Sequence, residues 1–166
     1  MTAWRTLLIS ALLALWQVGC TGPEKVASTP PQAVEEVDDI LVLADPVAAN
    51  WDGQAGADGL DVGVLLFRRD RKLPVTVKGT LEMRLYEGVV RAEDLPQARP
   101  LRTWRFDAAQ LRALLGRTPA GWGYALRLPW GPTRPATSSV TLTARYVAPS
   151  GRTVHAPPVA IATRPR

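Results

Sequence analysis

The chain has 166 residues, 46% of them apolar and 21% charged, which suits one folded domain with accessories and excludes a wholly disordered polymer. A single cysteine excludes an intramolecular disulfide framework, and a single histidine, His155, excludes a Cys/His structural zinc site, so the fold must rest on packing. The net charge of +5 is unevenly placed: all 15 carboxylate side chains lie at or before Asp107, and the eight basic residues after it are all arginine.

A basic C-terminal segment can meet an anionic partner such as lipid headgroups, surface polysaccharide or nucleic acid. Arginine outnumbers lysine 17 to 3 along the whole chain, however, and acidic and basic strands that interleave in one fold would largely neutralise each other. Nucleic acid is therefore not the expected partner.

The first elements are not part of a fold. One positive charge, Arg5, precedes ten mostly apolar residues from Leu7 to Trp16, the n-region and h-region of an export signal. Ten helical residues reach only about 15 Å against a hydrocarbon core of roughly 30 Å, which is short for a transmembrane anchor. The run ends Gln17, Val18, Gly19, Cys20, a small residue followed by the sole cysteine.

That ending resembles the lipobox of bacterial lipoproteins, apart from Gln17, where the family usually carries leucine. The resemblance implies that residues 1–19 are a cleaved signal peptide and that Cys20 becomes the lipid-bearing first residue. It also implies that the product is exported and membrane-anchored, facing the periplasm or the cell surface. Thr21 stands where an aspartate tends to retain such proteins in the inner membrane, which favours the outer membrane. Two or three acyl chains anchor stably without a transmembrane helix.

Residues 20–39 hold three prolines and no apolar periodicity, and read as the lipidated cysteine followed by a flexible tether of about 60 Å if extended. Residues 40–163 are then the folded domain and 164–166 a tail.

Within the domain the dominant signal is alternation with period two. "GLDVGVLLFRR" is more apolar and reads as a central strand, Leu60 to Phe67. In "VTVKGTLEMRLYEG", Val75, Val77, Leu81, Met83 and Leu85 point one way while Lys78, Glu82, Arg84 and Tyr86 point toward water. "LRTWRF" sets Trp104 beside Phe106 in a short strand. "DAAQLRALLG" follows, with Asp107 at an N-cap, Gln110 three residues on and a terminal Gly116, predicting one short helix between strands. "GWGYALRLPW" puts Trp122, Tyr124, Leu126 and Leu128 on a core face, with Trp130 at the exposed end. "SVTLTARYVAPSGRTVHA" is a strand through Tyr146, a hairpin at Pro149, Ser150 and Gly151, and a final strand toward Ile161.

About seven strands and one crossover helix predict an all-β, antiparallel β-sandwich, resembling the immunoglobulin-like or transthyretin-like group. From Trp51 to Trp130 the pattern also resembles uncharacterised bacterial envelope lipoproteins, a resemblance that implies no activity.

Three clusters carry candidate chemistry. Asp52, Asp58 and Asp61 surround three glycines in "WDGQAGADGLD" and form a candidate calcium loop, although the spacing is not that of an EF-hand and turns use the same residues. Arg68, Arg69, Arg71 and Lys72, on a predicted hairpin, could grip phosphate or carboxylate, or simply keep strand edges solvated. Catalysis is poorly provided for. His155 sits beside prolines, no nucleophile elbow is present, and Glu82, Glu87, Glu93 and Asp94 would have to pair across a solvated face and a loop.

The expected function is that of a non-catalytic, membrane-tethered sandwich that needs no cofactor beyond its lipid and binds another envelope protein or an anionic surface polymer. The alternatives are a structural accessory subunit that adds a sheet edge to a partner, and a small hydrolase with an unrecognised site.

Overall fold

The computed structural model describes residues 29–163. Cys20, the export signal and the tail 164–166 lie outside the described residues.

Nine strands and one helix follow in the order β1 (Asp39–Ala44), β2 (Gly59–Phe67), β3 (Thr80–Glu87), β4 (Arg102–Phe106), α1 (Ala108–Ala113), β5 (Leu115–Thr118), β6 (Gly121–Pro129), β7 (Ser139–Val147), β8 (Thr153–His155) and β9 (Val159–Ala162). They form two antiparallel sheets. Sheet I runs β1-β2-β6-β5; sheet II runs β4-β3-β7-β8, with β9 also paired to β7. The molecule is an all-β sandwich, and this strand order is that of an immunoglobulin-type sandwich, A-B-E-D facing C′-C-F-G.

Alternation builds the core. Ile40 and Val42 on β1, Val62 and Val64 on β2, Leu81, Met83 and Leu85 on β3, Tyr124, Leu126 and Leu128 on β6, and Val140, Leu142 and Tyr146 on β7 all turn inward and are buried. Trp130, expected at an exposed end, is only 2% exposed. Arg102 donates to its carbonyl from the neighbouring sheet, so the chain end of β6 is roofed over rather than projecting.

The strand count exceeds the expected seven by two, because residues 115–118 add β5 and because one predicted strand is broken. Pro157 and Pro158 cannot donate to a ladder, so the chain after the Pro149–Gly151 hairpin pairs with β7 in two pieces, β8 beside residues 145–147 and β9 beside residues 139–142.

The helix forms as its capping box demands. The Asp107 carboxylate accepts from the Ala109 and Gln110 N–H groups at 2.9 Å each, and the Gln110 side chain accepts the Asp107 N–H at 3.0 Å. Its stop differs from expectation: Leu114 is the C-cap and Gly116 lies inside β5. Strand pairing of β5 with β6 claims that glycine before it can act as a cap.

Two boundaries move. β2 and β3 lie in different sheets, so "RRDRK" ends β2 at a crossing between sheets and not at a hairpin. Residues 31–38, assigned above to the tether, are docked on the domain. Val34 bridges Val77 in parallel, with Val34 N–H to Thr76 carbonyl at 2.8 Å and Lys78 N–H to Val34 carbonyl at 2.9 Å. Val37 is fully buried, and the Thr76 hydroxyl donates to the Pro31 carbonyl at 2.8 Å.

Candidate functional site

The outward face of β3 was expected to be wet, yet Glu82 is 2% and Tyr86 3% exposed. The register explains the burial of Glu82. Its cross-strand partners are Arg105 on β4 and Arg145 on β7, and Arg145 in turn faces His155 on β8. One row across four strands thus reads Arg105, Glu82, Arg145, His155, with Arg84 two residues along β3.

Glu82 accepts from all three arginines: Arg84 Nε on one oxygen, Arg105 Nε at 2.8 Å and Arg145 Nη2 at 3.1 Å on the other. Burial pushes the Glu82 carboxyl upward, but the three guanidinium hydrogen bonds outweigh it and hold the group down at about 2. Cross-strand charge pairs of this kind need both neighbours in place. Three cations around one anion leave the row positive.

A loop closes over this face. The Val90 N–H donates to the Thr141 hydroxyl at 2.8 Å, and that hydroxyl donates to the Gly88 carbonyl at 2.8 Å, which folds residues 88–98 back across sheet II. Between loop and sheet lies a cleft of about 600 Å³, with Arg84, Thr143, Arg145 and His155 on its floor. Tyr86, Leu95, Pro96, Pro157 and Pro158 form its walls and Asp39 stands at the edge. The Arg145 Nε is buried without a hydrogen-bond partner. Burial and the nearby Arg145 and Arg84 lower the His155 pKa against the opposing pull of Glu82, so the imidazole is neutral at pH 7. The floor therefore offers fixed hydrogen-bond donors and net positive charge.

The residues singled out by sequence lie elsewhere. Asp52, Asp58 and Asp61 do not converge. Asp58 accepts the Trp51 N–H at 2.7 Å and lies 3.8 Å from Arg134. Asp61 accepts the Trp51 indole N–H at 2.8 Å, and Arg127 stacks over the same indole at 4.7 Å. Asp52 caps its own turn through Gln54 N–H at 2.8 Å. Among the described residues no group of three or more His, Cys, Asp or Glu side chains is placed to hold a metal ion.

In the basic stretch, Arg68 makes a two-pronged bond to Asp70 at 2.9 Å on both arms, and the Arg69 N–H donates to Asp38 at 3.0 Å. Arg71 and Lys72 are exposed on the same turn. The stretch is an ion-paired corner and forms no concave site with the arginine row. Of the carboxylates weighed as catalytic, Glu87 accepts the Ala136 and Thr137 N–H groups at 2.6 and 2.9 Å, while Glu93 pairs with Arg91 at 3.9 Å. Neither approaches Glu82.

No protein-family model matches this chain, and neither a curated protein nor a solved structure does.

Proposed function

We propose that the chain is an exported, lipid-anchored, non-catalytic protein of a bacterial envelope. Its sandwich binds an acidic group of another envelope component, protein or anionic polymer, in the cleft over sheet II. The observation that carries the binding half is the cleft floor, where the Arg84 and Arg145 guanidiniums, both held by Glu82, stand with the His155 imidazole under apolar walls.

The anchoring half rests on the apolar Leu7 to Trp16 run ending at Gly19 and Cys20. With the segment from Pro31 onward docked on the domain, the ten residues 21–30 could reach at most about 30 Å. The domain then works close to the bilayer surface. Among the described residues no helix is long and apolar enough to cross a membrane. Thr21 favours the outer membrane as the site of anchoring.

Both halves are testable in the native host. Labelled palmitate should enter the wild-type protein and not Cys20→Ser; equal labelling would remove the anchor. Envelope material cross-linked to the wild type should be lost in the Arg84→Gln/Arg145→Gln double variant and should fall as salt rises. Undiminished capture by the double variant would place the binding surface elsewhere.

A further inference from the structure

We propose that the cleft over sheet II is a site for a single carboxylate carried on an apolar body, with Arg145 and His155 as the donors that fix it. This rests on the acidic-group reading above and narrows it to one class of ligand.

The donors come first. The Arg145 guanidinium is held by Glu82 through Nη2, so its orientation is set before any ligand arrives. His155 is its cross-strand partner on β8, and both line the cleft floor. A carboxylate seated against that guanidinium would have the imidazole beside it.

Charge sets the valence. The guanidiniums of Arg84, Arg105 and Arg145 stand against the carboxylates of Glu82 and, at the edge, Asp39, which leaves one positive charge for the ligand to match. On the covering loop Arg91 and Glu93 face each other at 3.9 Å, and Asp94 is offset by Arg99 just before β4, so the loop adds none. A dianionic phosphomonoester would bring surplus negative charge toward Glu82, a buried group kept ionised.

The walls set the body. Leu95, Pro96, Pro157, Pro158 and the ring of Tyr86 surround the floor, and prolines have no N–H to offer. A hydroxyl-rich sugar would lose water there without replacement partners, whereas an aliphatic or aromatic body loses nothing. The volume of about 600 Å³ lies within the range of small-ligand sites with apolar walls and few polar groups.

Binding should carry a proton with it. The empty site keeps His155 neutral, through burial and the neighbouring guanidiniums of Arg145 and Arg84. A bound carboxylate supplies the missing opposite charge, so His155 takes up a proton from solvent and affinity rises as pH falls through the histidine range.

The test uses His155, the only histidine of the chain, as its own reporter. The full chain, without a histidine tag and in detergent, is labelled at the imidazole and titrated with 4-phenylbutyrate, its amide, phenyl phosphate, and a peptide ending in Leu-Phe with a free or an amidated terminus. The carboxylates should shift the imidazole signal and raise its pKa by about one unit, while the amides leave it in place. Response to the small acid alone, or to the peptide alone, supports the site and names its source. Arg145→Lys should weaken binding about tenfold or more, and His155→Gln should keep binding at pH 8 while losing its pH dependence.

Equal binding of acid and amide overturns the proposal. Response to phenyl phosphate without response to either carboxylate overturns the ligand class and leaves the acidic-group reading standing. Silence toward every anion overturns both.

Discussion

The Tyr146 hydroxyl donates to the Glu35 carbonyl at 2.6 Å, stitching the segment ahead of β1 to the far end of β7. The same oxygen accepts the Gly79 N–H at 2.9 Å. Tyr146→Phe keeps the buried ring and strips both bonds, leaving a buried N–H without a partner, so it should cost about 1–3 kcal/mol in urea unfolding. Limited proteolysis should show the first new cut near residues 31–38. An unchanged urea midpoint with unchanged cutting would mean that the segment holds without this tie.

The docked segment sets the true start of the domain. A chain beginning at Ile40 lacks Val37, which is fully buried, and Val34, which packs against the core. It should unfold at lower denaturant than a chain beginning at Thr29, and Val37→Ala alone should cost about 1–2 kcal/mol. Equal stability of the two truncations would return residues 31–38 to the tether.

Glu82 makes stability depend on acid. Its carboxyl is held at about 2 in the folded protein against 4.5 when free, so its contribution is complete above about pH 4.5 and is lost as pH falls toward 2. Screening through the partly exposed arginines reduces the effect to about 2 kcal/mol. Glu82→Gln should be destabilised at pH 7, where three guanidiniums lose their shared anion, and should show a flatter acid limb in thermal unfolding between pH 5 and 3. Parallel acid limbs in the two proteins would contradict the assignment.

Gly79 tolerates no side chain. A Cβ there would meet the Val147 carbonyl oxygen and lie 2.5 Å from the Tyr146 hydroxyl, and the first of these is backbone that cannot swing aside. Gly79→Ala should yield little soluble protein, whereas Gly53→Ala, with nothing near its added carbon, should cost only the strain of a positive φ. Similar yields would show that the crossing between β2 and β3 can shift.

The loop of Asp52, Asp58 and Asp61 depends on Asp58. Removing its carboxylate in Asp58→Ala frees the Trp51 and Asp52 N–H groups and should lower stability by about 1 kcal/mol. Millimolar calcium should leave the thermal midpoint of the wild type in place; a clear rise would mean that the three carboxylates can swing together on a cation.

Local rules carried much of the fold. Period-two alternation located the inward residues of β2, β3 and β7 and of β6 from Tyr124 on, although Trp122, expected on the core face, is half-buried and outside the core cluster, and the Asp107 and Gln110 spacing located α1. The site was hidden from them. Glu82 sits at a parity that alternation assigns to water, and only the register of three other strands sets arginines from β4 and β7 beside it. Residues 31–38 have too few apolar side chains to read as packed, because their docking relies on backbone bonds and on distant Tyr146. Trp130 looked exposed between Pro129 and Gly131, yet it continues the inward parity of Leu126 and Leu128 and joins the core.

The break at Pro157 and Pro158 also governs how the molecule behaves in a crowd. With β8 three residues long and β9 four, the β7 side of sheet II ends in short, staggered edges, and its other border, β4, has only five residues. At sheet II a neighbouring copy finds no long flat row of open amide groups to extend, so those two borders resist edge-to-edge merging.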